Sequence, residues 1–232
     1  MITKLDRNTI NIFTDASIYN LKVGGKVKET IGCPGYIVVW NGVIIDAGCT
    51  LLRNSTNNIA ELYAILLGVE ASKSYGANYK IRIFSDSQLS VFAIRDRIFN
   101  WIGKSDGNLL YTVDGNPVAN QSYIMSIIYT ILSNGFPITI LHQKGHVNIN
   151  NYKDIYKAKD VFKTSNNIRS TNDITDDFIV SISYFNNYVD NMTRMYLHNH
   201  LSEIENIGLN NVFEFVYRPF DIEKYKEYLH KK

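Results

Sequence analysis

Two short apolar runs, IFTD at residues 12–15 and IFSD at residues 83–86, each end on an aspartate. Isoleucine and phenylalanine at this density belong to buried strands. A carboxylate at the end of such a strand is costly unless a cation or hydrogen bonds receive it. One such residue reads as a turn former, because Asp beside small residues closes strands by bonding nearby backbone. Two of them suggest a meeting point, since neighbouring strands lie about 4.8 Å apart.

The rest of the chain supplies a sheet for those strands. Residues 9–15 read as a strand, and residues 35–50 (GYIVVWNGVIIDAGCT) hold Asn41-Gly42 between two apolar runs, as a hairpin turn does. The period then becomes helical over residues 59–74, through Ile59, Leu62, Leu66 and Val69. YKIRIFSD predicts a further strand, with a helix from near Ser87, a helix over 121–134 and a strand at 137–142, PITILH. Strands, helix, strand, helix, helix, strand is the order of an α/β domain with a mixed sheet flanked by helices. From Val147 to Asp177 the chain turns to Asn, Lys, Asp and Ser, the composition of an insertion before the last core helix. Residues 178–197 predict that helix, with Ile179, Ile182, Val189 and Met192 buried. VFEFVYRPF reads as an edge strand with a helical tail after Pro219. Residues 1–198 are thus expected to form the principal domain, with 147–177 inserted, and 199–232 a C-terminal extension packed on it.

Of the 232 residues, 45% are hydrophobic and 20% charged, and no apolar run is long enough to span a bilayer. With no signal-peptide pattern at the start, a cytoplasmic, membrane-free setting is expected. Cys33 and Cys49 form neither a CxxC pair nor a Cys/His cluster, which excludes a zinc framework and predicts reduced thiols. The net charge of +2 leaves any nucleic-acid footprint to local patches.

Further acids have ordinary readings of their own. With Asn58 as N-cap, Glu61 falls where a capping-box glutamate reaches back to the cap. Asp86 suits a helix N-cap, and Asp190 can pair with Arg194 four residues on. Taken together they read differently: aspartates on adjacent strands and a glutamate in a first helical turn repel unless cations neutralise them. Oxygen ligands suit hard divalent ions, Mg²⁺ or Mn²⁺.

The pieces IFTDAS, TNN-IAEL, FSDSQ, NW, GNPVANQ, KGH and NNYVDNMTR occur in the order of the type 1 ribonuclease H family, which the chain resembles over most of residues 9–146 and again at 186–194. The resemblance implies a ribonuclease H-like fold with a five-stranded mixed sheet. It implies hydrolysis of the RNA strand of an RNA–DNA hybrid by two metal ions, leaving 5′-phosphate and 3′-hydroxyl ends. By motif, Asp15, Glu61, Asp86 and Asp190 would bind the ions, and His146 would assist product release or proton transfer. Asn57, Asn58 and Gln88 match readers of the hybrid's minor groove, and Ser17 and Asn186 join them as substrate contacts. Trp101 matches an aromatic near the DNA strand, and a core tryptophan is an equal reading.

Two departures matter. Forty-four positions separate His146 from Asp190, so Asp154 and Asp160 compete for the fourth carboxylate; Asp190 is preferred because Asn186 precedes it by four in an apolar-periodic helix. The segment 99–121 holds only Lys104 against Asp106 and Asp114, whereas Lys153, Lys157, Lys159, Lys163 and Arg169 lie in the insertion. That insertion is expected to grip phosphate backbone through residues such as Lys153 and Lys157, against the alternative of a solvated helix face. A monomer is expected. Alternatives are a nuclease of the same superfamily acting on DNA or branched DNA, and a non-catalytic nucleic-acid-binding module.

Overall fold

The computed structural model describes residues 5–106, 109–169 and 174–206, and the expected edge strand and tail after residue 206 lie outside them. Five strands, β1 (Thr9–Val23), β2 (Lys26–Trp40), β3 (Val43–Cys49), β4 (Lys80–Ser85) and β5 (Ile138–His142), form one sheet in the order β3-β2-β1-β4-β5. The first three pair antiparallel, while β1–β4 and β4–β5 are parallel, so the sheet is mixed as expected. Asn41 and Gly42 both have positive φ, 50° and 80°, the backbone of a two-residue hairpin turn.

The alternation of β1 sends its side chains to two cores. Ile10 and Ile12 join Ile81, Ile83 and Ile140 beneath α1 (Asn57–Ala71) and α4 (Gln121–Asn134). Between those helices, residues 88–102 are α-helical at both ends (α2, Gln88–Phe92; α3, Ile98–Ile102) and π-helical over Ala93–Arg97. Phe13 and Phe84 point to the other face, stacked with centroids 4.8 Å apart. Phe162 of α5 (Tyr152–Ser165) and Phe185 of α6 (Asp176–Asn206) cover them.

The residues read as an insertion pack on this second core. Ala158 and Phe162 are buried against the sheet. A phenylalanine so buried contributes about 2–3 kcal/mol. Arg95 donates to the Asn166 side chain at 2.8 Å and to the Ser165 carbonyl at 2.6 Å, tying the end of α5 to the π-helical segment. Two expectations are corrected. Asp15 does not end its strand, because β1 runs on to Val23; what ends at Thr14 is the pairing with β4. The α1 N-cap is Thr56, whose hydroxyl accepts from the Ile59 amide, so Asn58 lies inside the first turn and the capping-box reading of Glu61 fails.

Candidate functional site

Parallel pairing of β1 with β4 closes at Thr14 opposite Ser85, which makes Asp15 and Asp86 the residues that follow on the two neighbouring segments. Asp15 shares the sheet face of Phe13, the face covered by α6, and sits within β1 opposite Gly35. Glu61 arrives from the start of the second turn of α1, and all but a small fraction of it is buried. Carboxylate oxygens of Asp15, Glu61 and Asp86 lie within 4.8 Å of one another. Asp190, from the middle of α6, lines the same cleft of about 750 Å³, and its charge is felt by all three.

Burial and mutual repulsion push these acids upward. Burial is the main cause of a rise in the Asp15 carboxyl to about 8, with the Asp86 and Asp190 charges adding to it. Glu61 is held well above the ordinary carboxylate range by burial first and then by Asp15 and Asp86. Asp86 is also raised by burial, opposed by the Asn186 amide, which donates to its Oδ2 at 3.3 Å. Glu61 Oε2 is buried without a hydrogen-bond partner. An orphaned carboxylate oxygen facing two other carboxylates, with oxygen as the only donor type, fits a hard divalent cation.

Supporting groups fix this arrangement. The Asn186 carbonyl oxygen accepts from Gln143 Nε2 at 2.7 Å, so a buried chain runs from Gln143 at the end of β5 through α6 to Asp86. Asn186, expected as a substrate contact, is 1% exposed and serves to orient Asp86. Gly145 passes so close to Asp86 that a Cβ there would overlap its carboxylate. The Asp15 carboxylate accepts from the Ala16 amide at 2.7 Å, and the Ser17 hydroxyl meets that of Thr193 at 2.9 Å, joining β1 to α6.

Asn57, Ser17 and His146 line the cleft. His146 is exposed in a left-handed conformation (φ 51°), its Nδ1 3.6 Å from Asp190 Oδ2. Asn58 and Gln88 are exposed in the first turns of their helices, outside the cleft lining. Trp101 is half-buried against the core under α1 and α4, the alternative reading for it. Lys153 and Lys157 stand exposed on α5, away from the acids, while Lys159 is held by Asp176 at 2.8 Å. Asp154 and Asp160, rivals for the fourth position, lie on α5 and not in the cleft. Arg194 and His198, one and two turns beyond Asp190, line the cleft too, with Arg194 Nε 2.8 Å from Asp190 Oδ1. They were not expected as site residues, although the spacing 186, 190, 194, 198 marks a single helix face.

A family model described as RNase H matches residues 7–161, ending before Asp190, whose membership of the cluster therefore rests on geometry. No curated protein matches the chain. Among solved structures, the foamy viral protease-reverse transcriptase in complex with an RNA/DNA hybrid is similar at 13% identity and a TM-score of 0.51. The match covers 72% of this chain but only 21% of that one. The native prototype foamy virus protease-reverse transcriptase matches at 16% identity and a TM-score of 0.51, covering 73% of this chain and 22% of that one. The solution structure of the PFV RNase H domain matches at 17% identity with a TM-score of 0.50, covering 68% of this chain and 94% of that domain. At these identities the likeness shows the fold.

Proposed function

This chain belongs to the RNase H family, and from that premise we propose that it hydrolyses the RNA strand of RNA–DNA hybrids with two divalent ions, Mg²⁺ or Mn²⁺, leaving 5′-phosphate and 3′-hydroxyl ends. The observation that carries the reading is the buried cluster of Asp15, Glu61 and Asp86, joined in its cleft by Asp190.

In this reading the four carboxylates hold the ions, and Asn186 keeps Asp86 aimed at them. Bound there, divalent ions supply Lewis-acid activation of water and stabilise the charge that develops on the phosphate and leaving oxygen. His146, exposed at the rim, takes or delivers a proton as product leaves. Asn57, Asn58 and Gln88 offer amides to the minor groove, where 2′-hydroxyls distinguish RNA from DNA. Ser17 contacts the backbone beside Asp15, and Trp101 acts through packing that sets the α3 wall. Lys153 and Lys157 add attraction for phosphates from the outer face of α5. Residues 1–198 act as the catalytic unit, monomeric and cytoplasmic, followed by a C-terminal extension from residue 199. No helix among the described residues is long and apolar enough to cross a membrane.

A substrate panel tests the proposal. The hybrid should be cut, and duplex DNA, duplex RNA and branched DNA left intact, with RNA fragments bearing a 5′-phosphate that a ligase can join. Preferential cutting of branched or duplex DNA would overturn it.

A further inference from the structure

The β1–β2 hairpin outgrows the sheet that carries it. Pairing of β1 with β4 stops at Thr14 and that of β2 with β3 at Gly35, yet β1 and β2 stay paired to Val23 opposite Lys26. Gly24 and Gly25, at φ 58° and 79°, close the ribbon in a two-residue turn. It is anchored almost to its tip: Ile31 and, next to Lys22, Leu21 are buried with Leu51 and with Leu197 of α6. The ribbon therefore projects in a set direction from the strand whose residues 15–19 line the cleft.

Its tip is basic. Lys22, Lys26 and Lys28 are exposed, and among the described residues none has an ion-pair partner. The one acid nearby, Glu29, is buried and occupied by Arg53 at 3.0 Å. Elsewhere the candidate basic surfaces are diluted: Lys159 is bound by Asp176, and Lys104 donates to the Val113 carbonyl.

We propose that the tip of this hairpin, through Lys22, Lys26 and Lys28, is a phosphate-backbone grip for duplex nucleic acid lying in the cleft. The inference rests on the nuclease reading above and extends it to a site remote from the acids. Seven residues separate Asp15 from Lys22, a reach of about 23 Å along an extended strand. At roughly 3.4 Å per nucleotide along a duplex axis, the tip meets phosphates about seven base pairs from the scissile one. A duplex too short to extend that far cannot use the grip.

The test measures equilibrium binding of hybrids of about 24 and about 6 base pairs over a series of salt concentrations. The protein is the full chain carrying Asp15→Asn, with and without the triple change Lys22→Ala, Lys26→Ala, Lys28→Ala. The triple variant should bind the long hybrid at least about tenfold more weakly, with its salt slope reduced by about 2–3, and bind the short hybrid unchanged. A triple Lys→Arg variant should keep the parent's affinity and slope. Equal binding of the long hybrid by parent and alanine variant would overturn the proposal, as would the same loss on both lengths. Cleavage by the wild-type chain is scored separately. Absence of cleavage with lysine-dependent long-hybrid binding would sink the nuclease reading and leave the grip. Intact cleavage with no lysine dependence would do the reverse.

Discussion

Asp15→Asn should abolish cleavage, reducing kcat by about 10³-fold or more, and at the same time make the metal-free protein more stable. The first effect follows from removing a charged oxygen ligand at the point where phosphate charge develops. The second follows from the acid's surroundings. In the metal-free fold the Asp15 carboxyl keeps its proton to about pH 8, against an ordinary value of 3.8. Between those limits the folded chain binds a proton that the unfolded chain has lost, so stability falls as pH rises from about 4 to 8. An asparagine carries no such penalty. Urea denaturation in EDTA should show the variant gaining on the wild type as pH rises, reaching on the order of 1–3 kcal/mol at pH 8 and vanishing near pH 4. Adding Mg²⁺ should stabilise the wild type more than the variant. A variant that is less stable at pH 8 would mean that Asp15 is a paired structural acid rather than a cation ligand.

Gly145→Ala should lower kcat by about 10²-fold, because the new methyl group must displace the Asp86 carboxylate it would overlap. Gly145 lies between the end of β5 and His146, so the same shift also disturbs the loop that presents the histidine. Folding should survive, since Asp86 sits at the cleft wall and can turn toward solvent. Gly103→Ala is the control: a Cβ there meets only the carbonyls of Asn100 and Phe99, at 3.6 and 3.8 Å, which is ordinary contact. Steady-state rates and thermal melts on the two variants check this. Equal rates in both would mean that Asp86 does not need its observed position.

Where residue chemistry is local, the sequence was a good guide. The 121–134 helix lies where its period put it, and the Asn41-Gly42 hairpin forms because both residues accept positive φ. Asp15, Glu61 and Asp86 stood out because each follows or enters a recognisable apolar run, and pairing of β1 with β4 brings them together; Asp190 stood out through the NNYVD piece of the resemblance and lines the same cleft. What escaped depends on contacts distant in the chain. Asn186 looked like a substrate reader, yet Gln143 and Asp86 from two other elements claim both ends of its amide. The polar composition of 147–177 masked Ala158 and Phe162, which suffice for one buried helix face. The long β1–β2 ribbon has a local sign, Gly24-Gly25 at positive φ, which a strand ending at Asp15 leaves no place for. Thr56 displaced Asn58 as the cap, a shift of two residues between two good capping types.

The account turns on one claim, that the carboxylate cluster makes this chain a cation-dependent nuclease for the RNA strand of a hybrid. The most direct measurement uses a hybrid with different dyes on its RNA and DNA strands, incubated with the wild-type chain in Mg²⁺ and in EDTA and resolved on a denaturing gel. The account predicts that the RNA strand is cut in Mg²⁺, that the DNA strand stays whole, and that nothing is cut in EDTA. An RNA strand left whole in Mg²⁺, or cut equally in EDTA, would contradict it.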